Sequence, residues 1–293
     1  MGSFSSKPNI KEEYWLKMKE GGEIEKKYIS LGDYKTKNQT IEIEDKKAEK
    51  YIITYPEKLE TLTEKWPMII IVNGSNDPTS THYNFNIHLS SHGFIVVGNE
   101  DKGSGSGLST SQMLDYMLKL NEDNSHVLYQ KINVEKIGII GGSQGAAGAI
   151  KAVTEFNNGK YYKTIVTLSL PRIEMAKNFN WNYEVSKIYI PWFQITSTGF
   201  ADDNRFNPIS PLSSLKENYE NLNDGVPCVI ARRKDIDHTD MVVFSDGYIT
   251  AWFCYMLKND KYAAKAFAGN NPEILINNLN WQDVKIKNIN KDY

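Results

Sequence analysis

Met68-Ile69-Ile70-Ile71-Val72 is an unbroken apolar run, mostly β-branched, closed by Asn73-Gly74. A strand with one wet face alternates apolar and polar side chains. A run without alternation needs apolar neighbours on both faces, as in a parallel sheet covered by helices. Similar runs recur at 93–97, 136–140, 163–168, 188–196 and 226–231, and helix-patterned segments lie between them at 83–91, 111–120, 144–156, 211–219 and 246–257. This alternation predicts repeated βαβ units. Ahead of them, 27–31, 39–44 and 50–55 alternate in polarity and predict three antiparallel strands. The expected class is α/β, with a mostly parallel, eight-stranded-type sheet and helices on both faces. Residues 1–25 read as an N-terminal appendage with a short amphipathic stretch at 12–19, ended by Gly21-Gly22. Residues 26–293 read as a single domain, with further helix and an Asn/Lys-rich end after position 261.

Composition narrows the function classes. Lys plus Arg number 34 against 36 Asp plus Glu, a net charge of −2, so no overall field draws the chain to a phosphate backbone, and nucleic acid is not an expected partner. No apolar run approaches the roughly 18 residues of a membrane span, so no transmembrane segment is expected. The start, Met1-Gly2-Ser3-Phe4-Ser5-Ser6, lacks the apolar stretch of a secretory signal and fits a myristoylation pattern. Met1-Gly2-Ser3 is read in preference as a vector-derived leader, which leaves both a cytoplasmic and a secreted location open. The two cysteines, Cys228 and Cys254, lie in apolar contexts without metal-ligand spacing and read as buried thiols, a single disulfide between them staying open.

The most informative segment is 136–150, where Gly141-x-Ser143-x-Gly145 follows a buried strand and opens the small-residue run Gly145-Ala146-Ala147-Gly148. A serine on a sharp strand-to-helix turn carries a strained backbone, and small residues two before and two after it avoid collision. The helix N-terminus then offers free amides and its dipole to developing negative charge.

On this segment the chain resembles the α/β-hydrolase superfamily, over about residues 26–258. It is most similar to the lid-less branch of dienelactone hydrolases and cutinase-like polyester hydrolases, by segment spacing and by the wording of 71–75 and 91–97. The resemblance implies the order serine, acid, histidine. Ser143 would be the nucleophile. The acid position falls in Gly199-Phe200-Ala201-Asp202-Asp203, where Asp202 fits best and Asp203 stands next to it. The histidine position falls in 235–240, where His238 is the only histidine after Ser143. The oxyanion hole would use the backbone amides of Gln144 and of Ser75, although Asn73-Gly74 departs from the His-Gly or Pro-Gly of many relatives.

The implied activity is that of a serine carboxylesterase of cutinase-like kind, acting on a small or polymeric ester through an acyl-enzyme, with no cofactor and no metal. A peptidase or amidase on the same fold, or a silent binding protein, are the alternatives. A dienelactone hydrolase would normally carry cysteine where Ser143 stands. Segment 171–187 is too short for a cap domain, so an open site is expected, with Trp181 and Phe200 as substrate-contacting aromatics. Gly103-Ser104-Gly105-Ser106-Gly107 lacks the ending of a phosphate loop and is expected to border the cleft. Arg232-Arg233-Lys234 reads as a solvated basic cluster. His88 and His92, at i and i+4, lack the glutamate and third ligand of a zinc motif.

Overall fold

The computed structural model describes residues 8–18, 21–276 and 278–289, so Met1-Gly2-Ser3, read as a vector-derived leader, lies outside the described residues. The chain enters through a single 3-10 turn, Tyr14–Leu16, and helix α1, Glu23–Ile29. Two strands, β1 (Thr36–Glu42) and β2 (Lys50–Pro56), lead to β3 (Trp66–Val72). There follow α2 (Tyr83–Ser91), β4 (Ile95–Asn99), α3 (Leu108–Glu122), β5 (Ile132–Gly142) and α4 (Gln144–Thr154). Then come β6 (Tyr162–Leu168), α5 (Ile173–Asn178), β7 (Trp192–Ser197), α6 (Leu212–Asn221), β8 (Cys228–Arg233) and α7 (Met241–Lys258). Two short helices, α8 (Lys261–Ala264) and α9 (Glu273–Ile276), precede β9 (Trp281–Lys287).

Among the described residues the strands form one nine-stranded sheet in the order β1-β2-β4-β3-β5-β6-β7-β8-β9. Its centre, β4 to β8, is parallel, and the pairs β1/β2, β2/β4 and β8/β9 are antiparallel. The unalternated run divides between two cores. Met68, Ile70 and Val72 pack with α3 and α4 on one face, while Ile69 and Ile71 pack with α2 and α7 on the other. That two-faced burial is why the run carries no polar position. No described helix is long and apolar enough to cross a membrane.

Four expectations need correction. Residues 27–31, read as a strand, are the end of α1 and the turn after it: Ile24 and Tyr28, at i and i+4, share one buried helical face, and Ile29 packs in a separate cluster with Tyr14 and Trp15. The carboxylate of Glu273 fixes that helix by accepting from the amides of Ile24 and Glu25 at 2.8–3.0 Å. Of the stretch read at 12–19, the described residues 12–18 form only the turn Tyr14–Leu16, and Tyr14 and Trp15 in it are buried. The tail adds a ninth strand: Val284 and Ile286 alternate with Asp283, Lys285 and Lys287, a charged edge-strand pattern. Arg232 and Arg233 are not solvated but end β8 buried. Arg232 pairs with Asp203 and Asp283, and Arg233 lies over Phe244 and Trp281.

Candidate active site

In an open parallel sheet the ligand crevice lies beyond the carboxyl ends of the strands, where the chain changes the direction in which it adds them. Here β3 is followed by β4 on one side and β5 on the other, so the crevice should open between the ends of β3 and β5. A cavity of about 650 Å³ stands there, lined by the turn after β3 (Asn73 to Asp77), by Ser143 after β5, by Leu168 and Ser169 after β6, and by His238.

Ser143 sits at the junction of β5 and α4 with φ 52° and ψ −125°, a conformation that non-glycine residues rarely hold. Its amide donates to the Leu168 carbonyl at 2.9 Å, and its carbonyl accepts from Ala146. The flanking glycines are required by close approach. A Cβ at Gly141 would stand 2.1 Å from the Gly145 carbonyl oxygen, and one at Gly145 would stand 2.3 Å from that of Val72. The sequence G-x-S-x-G thus permits a turn whose hydroxyl faces the cavity while α4 presses onto the sheet.

The adjacent aspartates part company. They lie in a single π-helical turn, Phe200–Asn204, which sends them in different directions. Asp202 is fully buried, with Oδ1 2.7 Å from His238 Nδ1. Its Oδ2 accepts from the hydroxyls of Ser169 (2.5 Å) and Ser197 (2.6 Å). Burial opposes ionisation of Asp202, but the His238 ring and the two hydroxyls more than offset it and hold the carboxyl below its ordinary range. Asp203 turns instead to Arg232, 2.5 Å away.

His238 is one-sixth exposed, and with Nδ1 on Asp202 its Nε2 is the ring nitrogen left for the cavity. Asp237 holds its backbone: one carboxylate oxygen accepts from the amides of His238 (2.8 Å) and Ala201 (2.9 Å), tying the histidine loop to the aspartate turn. Ser143 and His238 line the same cavity, and no hydrogen bond joins them in this conformation.

Ser75 lines the cavity, and its hydroxyl is 3.3 Å from Gln144 Oε1, so the two expected oxyanion residues adjoin. The departing Asn73 has work of its own. Its amide donates to the carbonyls of Asn99 and Asp101, and its Oδ1 accepts from Thr79, so it knots three loops behind Gly74-Ser75. On the cavity rim Asp77 Oδ2 meets His82 Nε2 at 2.6 Å. Burial resists the Asp77 charge, while His82, the Thr81 hydroxyl and Lys11 outweigh it and lower the carboxyl's pKa.

The expected aromatic contacts lie elsewhere. Trp181 stacks on Phe179 with ring centres 4.7 Å apart and packs against Gly105, outside the cavity. Phe200, on the π-turn, is two-thirds exposed and also outside it. Segment 171–187 forms α5 and so turns Trp181 back toward the α3–α4 face. The glycine-serine loop 103–107 does not line the cavity either; Ser104 braces it from behind, donating to the Asn73 carbonyl at 2.5 Å. The apolar wall comes from Ile10, Phe85, Met241, Val242 and Val243. Of these, Phe85 sits on a segment whose helical pattern was legible, whereas nothing in the sequence links Ile10 to a site some 130 positions away. Both cysteines are free and buried, and burial pushes each thiol up to about 12. His88 and His92 turn Nε2 to the carbonyls of Ile29 and Ser30 rather than to a shared centre.

No family model matches the chain, and no curated protein matches it.

Proposed function

We propose that the chain is a serine hydrolase of the α/β-hydrolase kind, an esterase of the lid-less, cutinase-like sort that cleaves carboxylic esters through an acyl-enzyme. The observation that carries this reading is the convergence, at the switch point of the sheet, of a serine on a strained strand-to-helix turn and a histidine oriented by a buried carboxylate.

In this reading Nε2 of neutral His238 takes the proton of Ser143 as Oγ attacks the ester carbonyl. Asp202 holds the proton on Nδ1 and stabilises the imidazolium that forms. The hydroxyls of Ser169 and Ser197 keep Asp202 from rotating and keep it ionised. The tetrahedral oxyanion is met by the amides of Gln144, at the start of α4, and of Ser75, neither of which has an acceptor among the described residues. His238 then returns the proton to the leaving alcohol, and water repeats the sequence to free the acid. Substrate draws Ser143 and His238 into contact, since hydrogen bonds of this kind tighten in the Michaelis complex.

The test is the intact mass of wild type and of Ser143→Ala after exposure to a fluorophosphonate. A single adduct on wild type, absent from the variant, is expected. A folded wild type that takes no adduct would sink the hydrolase reading and leave the binding-protein alternative.

A further inference from the structure

One wall of the cavity comes from outside the sheet and its helices. Ile10 and Lys11, in segment 8–18 ahead of α1, line it opposite the strand ends. That segment has no regular structure apart from the turn Tyr14–Leu16, so side-chain anchors must fix its position. Three are present. The Tyr14 hydroxyl, fully buried, donates to Asp246 Oδ2 at 2.5 Å, and Asp246 also accepts from Thr250 at 2.9 Å. The Trp15 ring stacks on His88 with centres 5.7 Å apart. Asn84 Nδ2 of α2 donates to the Ile10 carbonyl at 3.2 Å. Ile10 in turn packs against the apolar cluster that holds Tyr14, Trp15 and Val243, and Val243 is itself part of the cavity wall. The anchors therefore lie on both sides of Ile10, in α2 and α7, and neither anchoring helix can shift alone without moving the wall.

We propose that segment 8–18 is a fixed specificity strap, in which Ile10 closes the apolar side of the cavity and sets the length of straight-chain acyl group that the site accepts. Tyr14 and Asp246 act as positioning residues. The name acyl pocket rests on the hydrolase reading above; the wall itself does not. At about 650 Å³ the cavity is mid-range for ligand sites and far larger than an acetyl group needs, which favours medium-chain acyl groups. The polar rim, Asp77, His82 and Lys11, is left to the alcohol side.

The test uses the full chain and straight-chain carboxylates of about four to twelve carbons, their binding measured by calorimetry. The p-nitrophenyl esters of the same acids are followed in parallel. Ile10→Ala should raise the ratio of affinity for the longest over the middle chain lengths, and Ile10→Trp should lower it, each by about tenfold, the lower end of what one methylene is worth in a pocket. Tyr14→Phe, which removes only the hydroxyl, should move the ratio in the same direction as Ile10→Ala by a few-fold. Equal losses at every length, no change, or no binding at any length overturn the strap. Binding requires no turnover, so a shifted ratio supports the strap even if fluorophosphonate leaves Ser143 unlabelled. Labelling with an unmoved ratio overturns the strap and leaves the hydrolase reading standing.

Discussion

Among the described residues two histidine–aspartate pairs share one separation, 2.7 Å from Nδ1 to a carboxylate oxygen: His238 with Asp202, which is aligned as a hydrogen bond, and His88 with Asp246, which is not. Their surroundings differ. His238 opens onto a cavity that also holds Ser143, and its partner is steadied by two serine hydroxyls. His88 and Asp246 are both wholly enclosed, with Tyr14 and Trp15 over them, Thr250 beside Asp246 and the Ile29 carbonyl on His88 Nε2. A histidine held by a carboxylate is therefore not a reactive device in itself. Access to a cavity, a serine in the same cavity and a second ring nitrogen left for that cavity distinguish the first pair from the second, which serves as a fastener between α2, α7 and the strap.

The comparison breaks if the two pairs respond alike to losing their charge. Asp202→Asn should lower kcat/KM on a short ester by about 10⁴-fold, because the amide no longer enforces the histidine tautomer. The urea midpoint should move less than for Asp246, since the asparagine oxygen can still accept from Ser169 or Ser197 and His238, unlike the enclosed His88, reaches solvent. Asp246→Asn should do the reverse. Removing the charge of a buried carboxylate that faces His88 and accepts from Tyr14 and Thr250 costs about 3 kcal/mol of stability. The activity of the folded fraction on the same short ester, counted by fluorophosphonate titration, should stay within about threefold. A stable Asp246→Asn protein with no activity would erase the distinction.

A smaller effect sharpens the picture of the enclosed region, through pH. Glu25, on the side of α1 that meets the C-terminal segment, has its carboxyl raised from 4.5 to about 7, chiefly by burial, against hydrogen bonds from Asn278 and Trp281. Between about pH 4.5 and 7 the folded chain then holds a proton that the unfolded chain has released, so this group's contribution to stability falls as pH rises. Full ionisation costs about 3 kcal/mol. His92 has the opposite sign. Burial lowers it to about 4, so between 4 and 6.5 the unfolded chain binds the extra proton and stability rises with pH. It is partly open to solvent and contributes less. Wild type should therefore show only a shallow decline from pH 4.5 to 7, and Glu25→Gln should reverse it to a rise. Urea midpoints across that range decide the matter, and an unchanged slope in the variant would remove Glu25 from the account.

Local signals carried the centre of the fold, and long-range ones its margins. The run 68–72 reported burial on both faces without reference to any partner, and G-x-S-x-G reported a turn that its own glycines permit. Both are legible in a few consecutive residues, although the packing they answer is remote: Gly145 lies against the Val72 carbonyl, and the run against α2, α3, α4 and α7. Helix α1 was hidden because its N-terminus is capped by Glu273, some 250 positions downstream, and β9 because an edge strand needs few apolar residues. Trp181 and Phe200 were placed by proximity to strand ends, a rule that cannot see α5 turning Trp181 away. Ser169, Ser197 and Asp237 each stand at or just beyond a strand's carboxyl end, where site residues of parallel sheets gather, but their roles follow from contacts with Asp202 and His238 that sequence order alone does not give.

The smallest expected effect concerns the neighbour of Asp202. Asp203 carries the same charge one position away, and sequence spacing barely separates the two. Its carboxylate is spent on Arg232, a buried guanidinium that also meets Asp283 at 3.4 Å and the Ser197 carbonyl at 3.3 Å. Asp203→Asn leaves Arg232 with both of those partners and an amide oxygen in place of the carboxylate. The stability loss should stay near 1 kcal/mol, and kcat/KM on the short ester should fall by less than about threefold, because no atom of Asp203 touches His238 or lines the cavity. Steady-state kinetics on the two variants side by side make the comparison direct. A ratio near 10⁴ between adjacent aspartates would mean that orientation by the π-turn, rather than charge in the neighbourhood, assigns the role. Equal losses would mean that His238 senses the summed negative charge of both, and the buried geometry of Asp202 would no longer explain the site.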